Sequence, residues 1–303
     1  IFYGLITSSS TNMTLFLFIM GMSMITLIGL TIDIFLQKST DLGHTGSVRG
    51  IFMTVLNTAW ILGPLLGGML IEGDNYRNIY IAGFALLFPL LYVVYKNFNN
   101  FKDSHYIQVS TRETCVRILK DKDISKIFFI NIILQTFYAW MTVYTPIYLH
   151  NTLGFSLSEI SIIFTIMLIP FVLVEYPLGK LADKKWGEKE MLAIGFVIMG
   201  LSTGALVFFG FKSLFAWALM LFLTRIGAAT AEIMIETYFF KKVDGKDPEI
   251  LSLFRITRPF SYFVAPVITT IGLVYTTDQY LFLVYGVICI LTLYPILTIR
   301  DTN

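Results

Sequence analysis

Nine stretches of this chain are apolar over about the 20 residues that a helix needs to cross a bilayer core. They lie at roughly 13–36, 49–71, 77–95, 126–149, 158–178, 190–210, 214–239, 252–275 and 279–298. Lipid offers no partner to a backbone N–H or C=O, so a span of this kind closes its hydrogen bonds internally, as a helix. A water-soluble fold has too little interior to hide so many. Hydrophobic residues make up 56% of the 303 and charged residues only 14%, where about a quarter is usual for soluble domains. The expected fold class is an all-α integral membrane protein with about nine full transmembrane helices.

The cations sort by side. If the loop around Gly43 lies in the cytoplasm and the sides alternate, all but three of the 22 Lys and Arg fall in cytoplasmic segments or the helix ends beside them. The opposite side holds Arg77 and Lys212, and Arg225 lies inside a helix. This is the positive-inside bias, and one misplaced helix would scramble it. It predicts a cytoplasmic C-terminus; the expected location is a plasma (inner) membrane of prokaryotic type. Tyr76, Tyr80, Tyr144, Tyr148, Tyr275 and Tyr280 fall at the outer interface, with Tyr92 and Tyr95 near the inner one; such rings settle at headgroup level. Most connections are short. The exception, about 96–125, mixes both charge signs and reads as a linker carrying a short surface helix near 111–121.

Several chemistries are absent. Cys115 and Cys289 are two isolated thiols, without a disulfide or zinc pattern. His44, His105 and His150 lie outside the apolar segments or at their edges. There is no phosphate loop, nucleophile elbow or H-E-x-x-H helix, and no basic stripe interleaved with aromatics. The expectation is therefore no catalytic residue, no metal, no cofactor and no nucleic-acid partner.

An internal repeat points further. Ile32-Asp33-Ile34-Phe35-Leu36-Gln37-Lys38 parallels Ile235-Glu236-Thr237-Tyr238-Phe239-Phe240-Lys241, and the following helices carry Gly63-Pro64 and Ala265-Pro266 at nearly the same offset. Transporters are often built from such repeated halves. The first three spans thus resemble the last three, while those at 126–210 have no upstream counterpart. Symmetry predicts about three more helices before residue 13, with residues 1–10 as the outer end of the third; the chain is read as N-terminally truncated.

Gly179-Lys180-Leu181-Ala182-Asp183-Lys184-Lys185-Trp186-Gly187-Glu188-Lys189 resembles the cytoplasmic loop signature G-x-L-A-D-r-x-G-r-K of the major facilitator superfamily. It carries one extra residue between Asp183 and Gly187, and Glu188 stands where Arg is common. Gly50, Gly63, Pro64, Gly67 and Gly68 resemble a fifth-helix signature found in many of its proton-coupled exporters, with Ala59 in place of a Gly. The resemblance implies a two-bundle transporter fold of twelve helices, of which this chain holds the end of the third to the twelfth. The implied domains are a partial N-terminal bundle at 1–96, a cytoplasmic linker at 97–125 and a C-terminal six-helix bundle at 126–303. The glycines of the fifth helix permit close backbone approach, and that motif also reads as a plain packing seam. Asp183 reads either as a latch closing the inner side or as a turn residue.

Asp33, Glu175, Glu232, Glu236 and Arg225 lie inside apolar segments. A charge near the bilayer centre costs roughly 2.5–3.5 kcal/mol, so each is a functional candidate. Arg225, Glu232 and Glu236 are spaced i, i+7 and i+11 on one helix, which is one face. Glu232 and Glu236 are like charges one turn apart, which pushes one pKa upward and suits proton carriage. In the family fold the helices bearing these residues and Asn131, Gln135, Tyr138 and Trp140 line the central cavity. The resemblance therefore implies a substrate and proton path of Arg225, Glu232, Gln135, Tyr138, Trp140 and Asn131. An inner gate would comprise Gly179, Asp183, Gly187, Lys189, Asp33, Glu236 and Glu175. Asp33 and Glu236 also read as structural partners of Lys38, Lys241 or Arg258, and Gln135, Tyr138 and Trp140 as packing and interface anchors.

The function expected from these residues is a secondary transporter moving a small-molecule substrate through the lipid bilayer by alternating access. It is expected to be monomeric and proton-coupled, with a preference for export. The alternatives are a transporter-like sensor or receptor without flux, and a membrane-embedded lipid-modifying enzyme.

Overall fold

The computed structural model describes residues 11–38, 40, 44–70, 77–98, 110–182, 187–243 and 247–300. Among the described residues the secondary structure is helical. The helices are α1 (Thr11–Lys38), α2 (Thr45–Leu70), α3 (Arg77–Phe98), α4 (Thr111–Lys120), α5 (Lys122–Asn151), α6 (Leu157–Ala182), α7 (Glu188–Ala205), α8 (Leu214–Lys242), α9 (Pro248–Tyr275), α10 (Tyr280–Leu291) and α11 (Leu293–Leu297). Eight of the nine apolar stretches each fall on one α-helix and the ninth on two. Six of these are long and apolar enough to cross a membrane by themselves, and α1, α2 and α9 are of matching length at 28, 26 and 28 residues.

Helix ends follow local chemistry. Asp121 caps α5, its carboxylate accepting from Asp123 N and Ile124 N at 2.9 and 3.1 Å. A reciprocal capping box opens α6: Ser156 N donates to Glu159 Oε2 at 2.8 Å, and Glu159 N to Ser156 Oγ at 3.2 Å. The last apolar stretch differs from expectation, because it breaks at Thr292 into α10 and α11. Pro295 has no N–H to return to the carbonyl four residues back, which interrupts the ladder there. The stretch at 190–210 likewise ends early, α7 tightening into a 3₁₀ turn at Leu206–Phe208. The short surface helix expected near 111–121 is α4.

Two compact units divide the chain. One comprises the described residues of Leu36–Thr58 and Val109–Asn303, the other those of Ile1–Phe35 and Ala59–Gln108. In the smaller unit α3 exposes Leu86, Phe88, Leu91 and Tyr92, which is how a lipid-facing helix looks, since acyl chains are as apolar as leucine. In the larger unit α8 is the central element. It packs against α6, α7 and α5, and almost every residue from Thr224 to Phe240 is buried. Glycine makes that possible: a Cβ on Gly195 would lie 2.9 Å from both Ala231 N and Gly227 O, so α7 and α8 meet backbone to backbone.

Candidate functional site

On α8, Arg225 is 3% exposed. Three aromatic rings of α5 and α6 surround its guanidinium: Tyr138 at 5.2 Å, Phe137 at 5.6 Å and Phe171 at 5.9 Å. These are cation–π distances. Arg225 forms no ion pair with a carboxylate among the described residues, and its Nε has no hydrogen-bond partner.

Tyr138 joins this cation to the acid two turns further along α8. Its hydroxyl donates to Glu232 Oε2 at 2.8 Å and also lies 3.1 Å from the Ala228 carbonyl. For Glu236 the sequence offers Lys38, Lys241 or Arg258 as its structural partner; the structure gives Arg255 of α9, which donates through Nη2 to Glu236 Oε2 at 2.8 Å, while Glu236 stays within electrostatic reach of Glu232. The physical reason is that Lys241 is engaged elsewhere, in a buried ion pair with Glu188. Glu175 of α6 is fully buried and receives both contacts of the Asn57 amide, Nδ2 to Oε1 and to Oε2, each at 2.9 Å. It lies within electrostatic reach of Glu232. Glu175, grouped with the inner gate in the sequence, thus stands beside the Glu232 site.

The other residues expected on the substrate path have different surroundings. Asn131 Nδ2 donates to Thr257 Oγ1 at 2.8 Å, tying α5 to α9. Gln135 Nε2 donates to Asn131 Oδ1 at 3.4 Å, while Gln135 Oε1 is buried with no hydrogen-bond partner among the described residues. Trp140 is 1% exposed, stacked between Tyr144 and Tyr285 at 5.5 and 4.1 Å and edge-on to Phe282. Trp140, Tyr144 and Tyr148 form an i, i+4, i+8 stripe on α5 that turns inward. Tyr144 and Tyr148 are therefore buried rather than free interface anchors, though the Tyr144 hydroxyl still donates to the Asp278 carbonyl at 3.1 Å. Tyr275 and Tyr280 are exposed, as expected of anchors.

The two motifs behind the family resemblance meet each other. A Cβ on Gly50 of α2 would sit 2.9 Å from the Glu175 carbonyl oxygen. One on Gly179 would strike the Gly46 carbonyl and lie 3.4 Å from Gly50 Cα. Just beyond, Arg49 is buried with its guanidinium 3.3 Å from the Phe240 ring centre. Gly187 caps α7 in extended conformation and Lys189 follows half-buried in its first turn. Asp183 lies outside the described residues, as do the side-chain surroundings of Gly63, Pro64, Gly67 and Gly68 on α2. Asp33 on α1 is buried. At the surface, Arg117 of α4 pairs with Asp247 at 2.8 Å, and that hydrogen bond holds the guanidinium above its ordinary pKa.

Sequence reasoning missed Asn57, Phe171, Thr257 and Arg255. Asn57 carried a signal, as a lone amide in an apolar span. Glu188, read as a departure from the loop signature, has a structural role: it opens α7, is fully buried, and meets Lys241 at the last turn of α8. An acid at a helix start and a base at a helix end both complement the macrodipole. Among the described residues no three His, Cys, Asp or Glu gather as a metal site.

Residues 127–302, more than half of the chain, match the family model described as Major Facilitator Superfamily. A search of curated proteins gave no match.

Proposed function

The chain belongs to the major facilitator superfamily, a family of multi-pass membrane transporters, and from that premise we propose that it is a proton-coupled secondary transporter working by alternating access. Its substrate is a small molecule and its surroundings are lipid. Within this proposal the bundles are 1–96 and 126–303 joined by 97–125, the molecule acts as a monomer in the plasma membrane, and its C-terminus is cytoplasmic.

The observation that carries the reading is the polar face of α8, enclosed in an apolar bundle. Buried ionisable groups are expensive in a membrane and are retained where they move ions or bind solutes. Glu232 is the proton carrier of this reading. It faces Tyr138 of α5, Arg225 and Glu236 of α8, Glu175 of α6, and Arg255 and Arg258 of α9. A carboxylate held by one phenol among charges of both signs can gain and lose a proton with a small rearrangement. The Gly46–Gly50 and Glu175–Gly179 approach is the inner closure, and glycine there lets α2 and α6 part and re-form without side chains to unlock. The export preference rests on the α2 glycine motif.

The test is flux. Purified protein reconstituted in liposomes, with a pH gradient imposed, should move protons only when a transported solute is present. The sign of the gradient that drives accumulation gives the direction. A solute that binds without any flux would replace this proposal with the sensor reading.

A further inference from the structure

We propose that Arg225 is the subsite for an anionic group of the transported molecule, with Phe137 and Phe171 flanking an apolar part of the same molecule; this rests on the transporter reading above. Glu175, Glu232, Glu236, Glu188 and Lys241 each have a hydrogen-bonded or ion-paired partner. Among the described residues Arg225, though 3% exposed, has no such partner and its Nε no hydrogen bond, Glu232 acting on it only from longer range. A buried charge without a direct hydrogen-bonded or ion-paired partner is unfavourable. The aromatic rings relieve only part of that, because a ring face attracts the cation yet accepts little from the N–H edge. A guanidinium presents its donors as a planar fork, which fits a carboxylate, phosphate or sulfonate in bidentate fashion. Two apolar rings, Phe137 and Phe171, lie 5.6 and 5.9 Å from the guanidinium. An anion with an aromatic or aliphatic body satisfies both halves of the site at once, whereas a fully hydrated inorganic ion satisfies only the first.

The experiment is thermal melting of the purified full chain in detergent, so that it reads binding whether or not flux occurs. The probes are acetate, benzoate, octanoate and phosphate, with neutral benzamide as the shape control. Benzoate or octanoate should raise the melting temperature of the wild type, benzamide should not, and Arg225→Met should abolish the shift. Arg225→Lys, which keeps the charge but not the fork, should weaken binding at least tenfold. Without any probe, Arg225→Met should melt at or above the wild type, since it removes a buried charge that has no direct partner. Protection by phosphate or acetate alone would mean an inorganic or minimal anion and would overturn the apolar flank. No protection by any anion, equal protection of Arg225→Met, or a lower melting point of ligand-free Arg225→Met would overturn the subsite. Anion binding with no flux in liposomes would leave the subsite standing and remove the transporter reading instead.

Discussion

The hydroxyl of Tyr138 donates to Glu232 Oε2 across 2.8 Å, while the same ring lies 5.2 Å from the Arg225 guanidinium. One side chain of α5 therefore touches both a buried cation and a half-buried acid of α8. Tyr138→Phe keeps the ring beside Arg225 and deletes the donor. Losing a hydrogen bond to a carboxyl should lower stability by about 1–2 kcal/mol, read as a lower melting temperature in detergent. Unchanged stability would mean that Glu232 takes its support elsewhere.

Glu232→Gln keeps an oxygen for Tyr138 but cannot release a proton. Solute exchange without a gradient should persist, while accumulation driven by a pH gradient should fall at least tenfold. Undiminished proton-driven accumulation in liposomes would remove Glu232 from the coupling step.

Glu188 and Lys241 form an ion pair at 0% and 7% side-chain exposure. Removing one partner of a buried pair typically costs about 3–5 kcal/mol, and replacing both costs much less. Lys241→Met alone should therefore unfold well below the wild type. The Glu188→Gln/Lys241→Met double variant should recover most of the difference in a double-mutant cycle.

Glycine substitutions should divide by surroundings. Gly179→Ala drives a methyl into the Gly46 carbonyl, and Gly286→Ala places one 2.7 Å from Gly204 Cα. Overpacking of this kind costs about 1–3 kcal/mol. Gly29→Ala meets nothing within 4 Å and should leave stability unchanged or raise it by up to about 1 kcal/mol. Melting temperatures of the three variants check the order, and a destabilised Gly29→Ala would contradict it.

The helices were legible because a membrane span is a one-dimensional signal. Length and apolarity alone mark it, and the break at Thr292 was the one place where a proline moved a boundary inside a span. The alignment of Arg225, Glu232 and Glu236 was also legible, since helical periodicity puts i, i+7 and i+11 on one face. Partners were not. Nothing local distinguishes Arg255 from Lys241 as the partner of Glu236, or marks Phe171 as a wall of the Arg225 site, because these residues come from other helices. The inward turn of Tyr144 and Tyr148 was hidden for the same reason: an aromatic near a span end reads as an anchor until a neighbouring helix is found to cover it.

The sequence by itself determined the solvent of this protein, its helical class and the polar stripe of α8, since hydropathy and periodicity are properties of a single segment. Tertiary structure decided which buried groups are satisfied, leaving Arg225 ringed by Phe137, Tyr138 and Phe171 with no ion pair among the described residues. Hydrogen bonds and ion pairs act over a few ångströms, and only packing brings residues remote in the chain, such as Asn57 and Glu175, within that range.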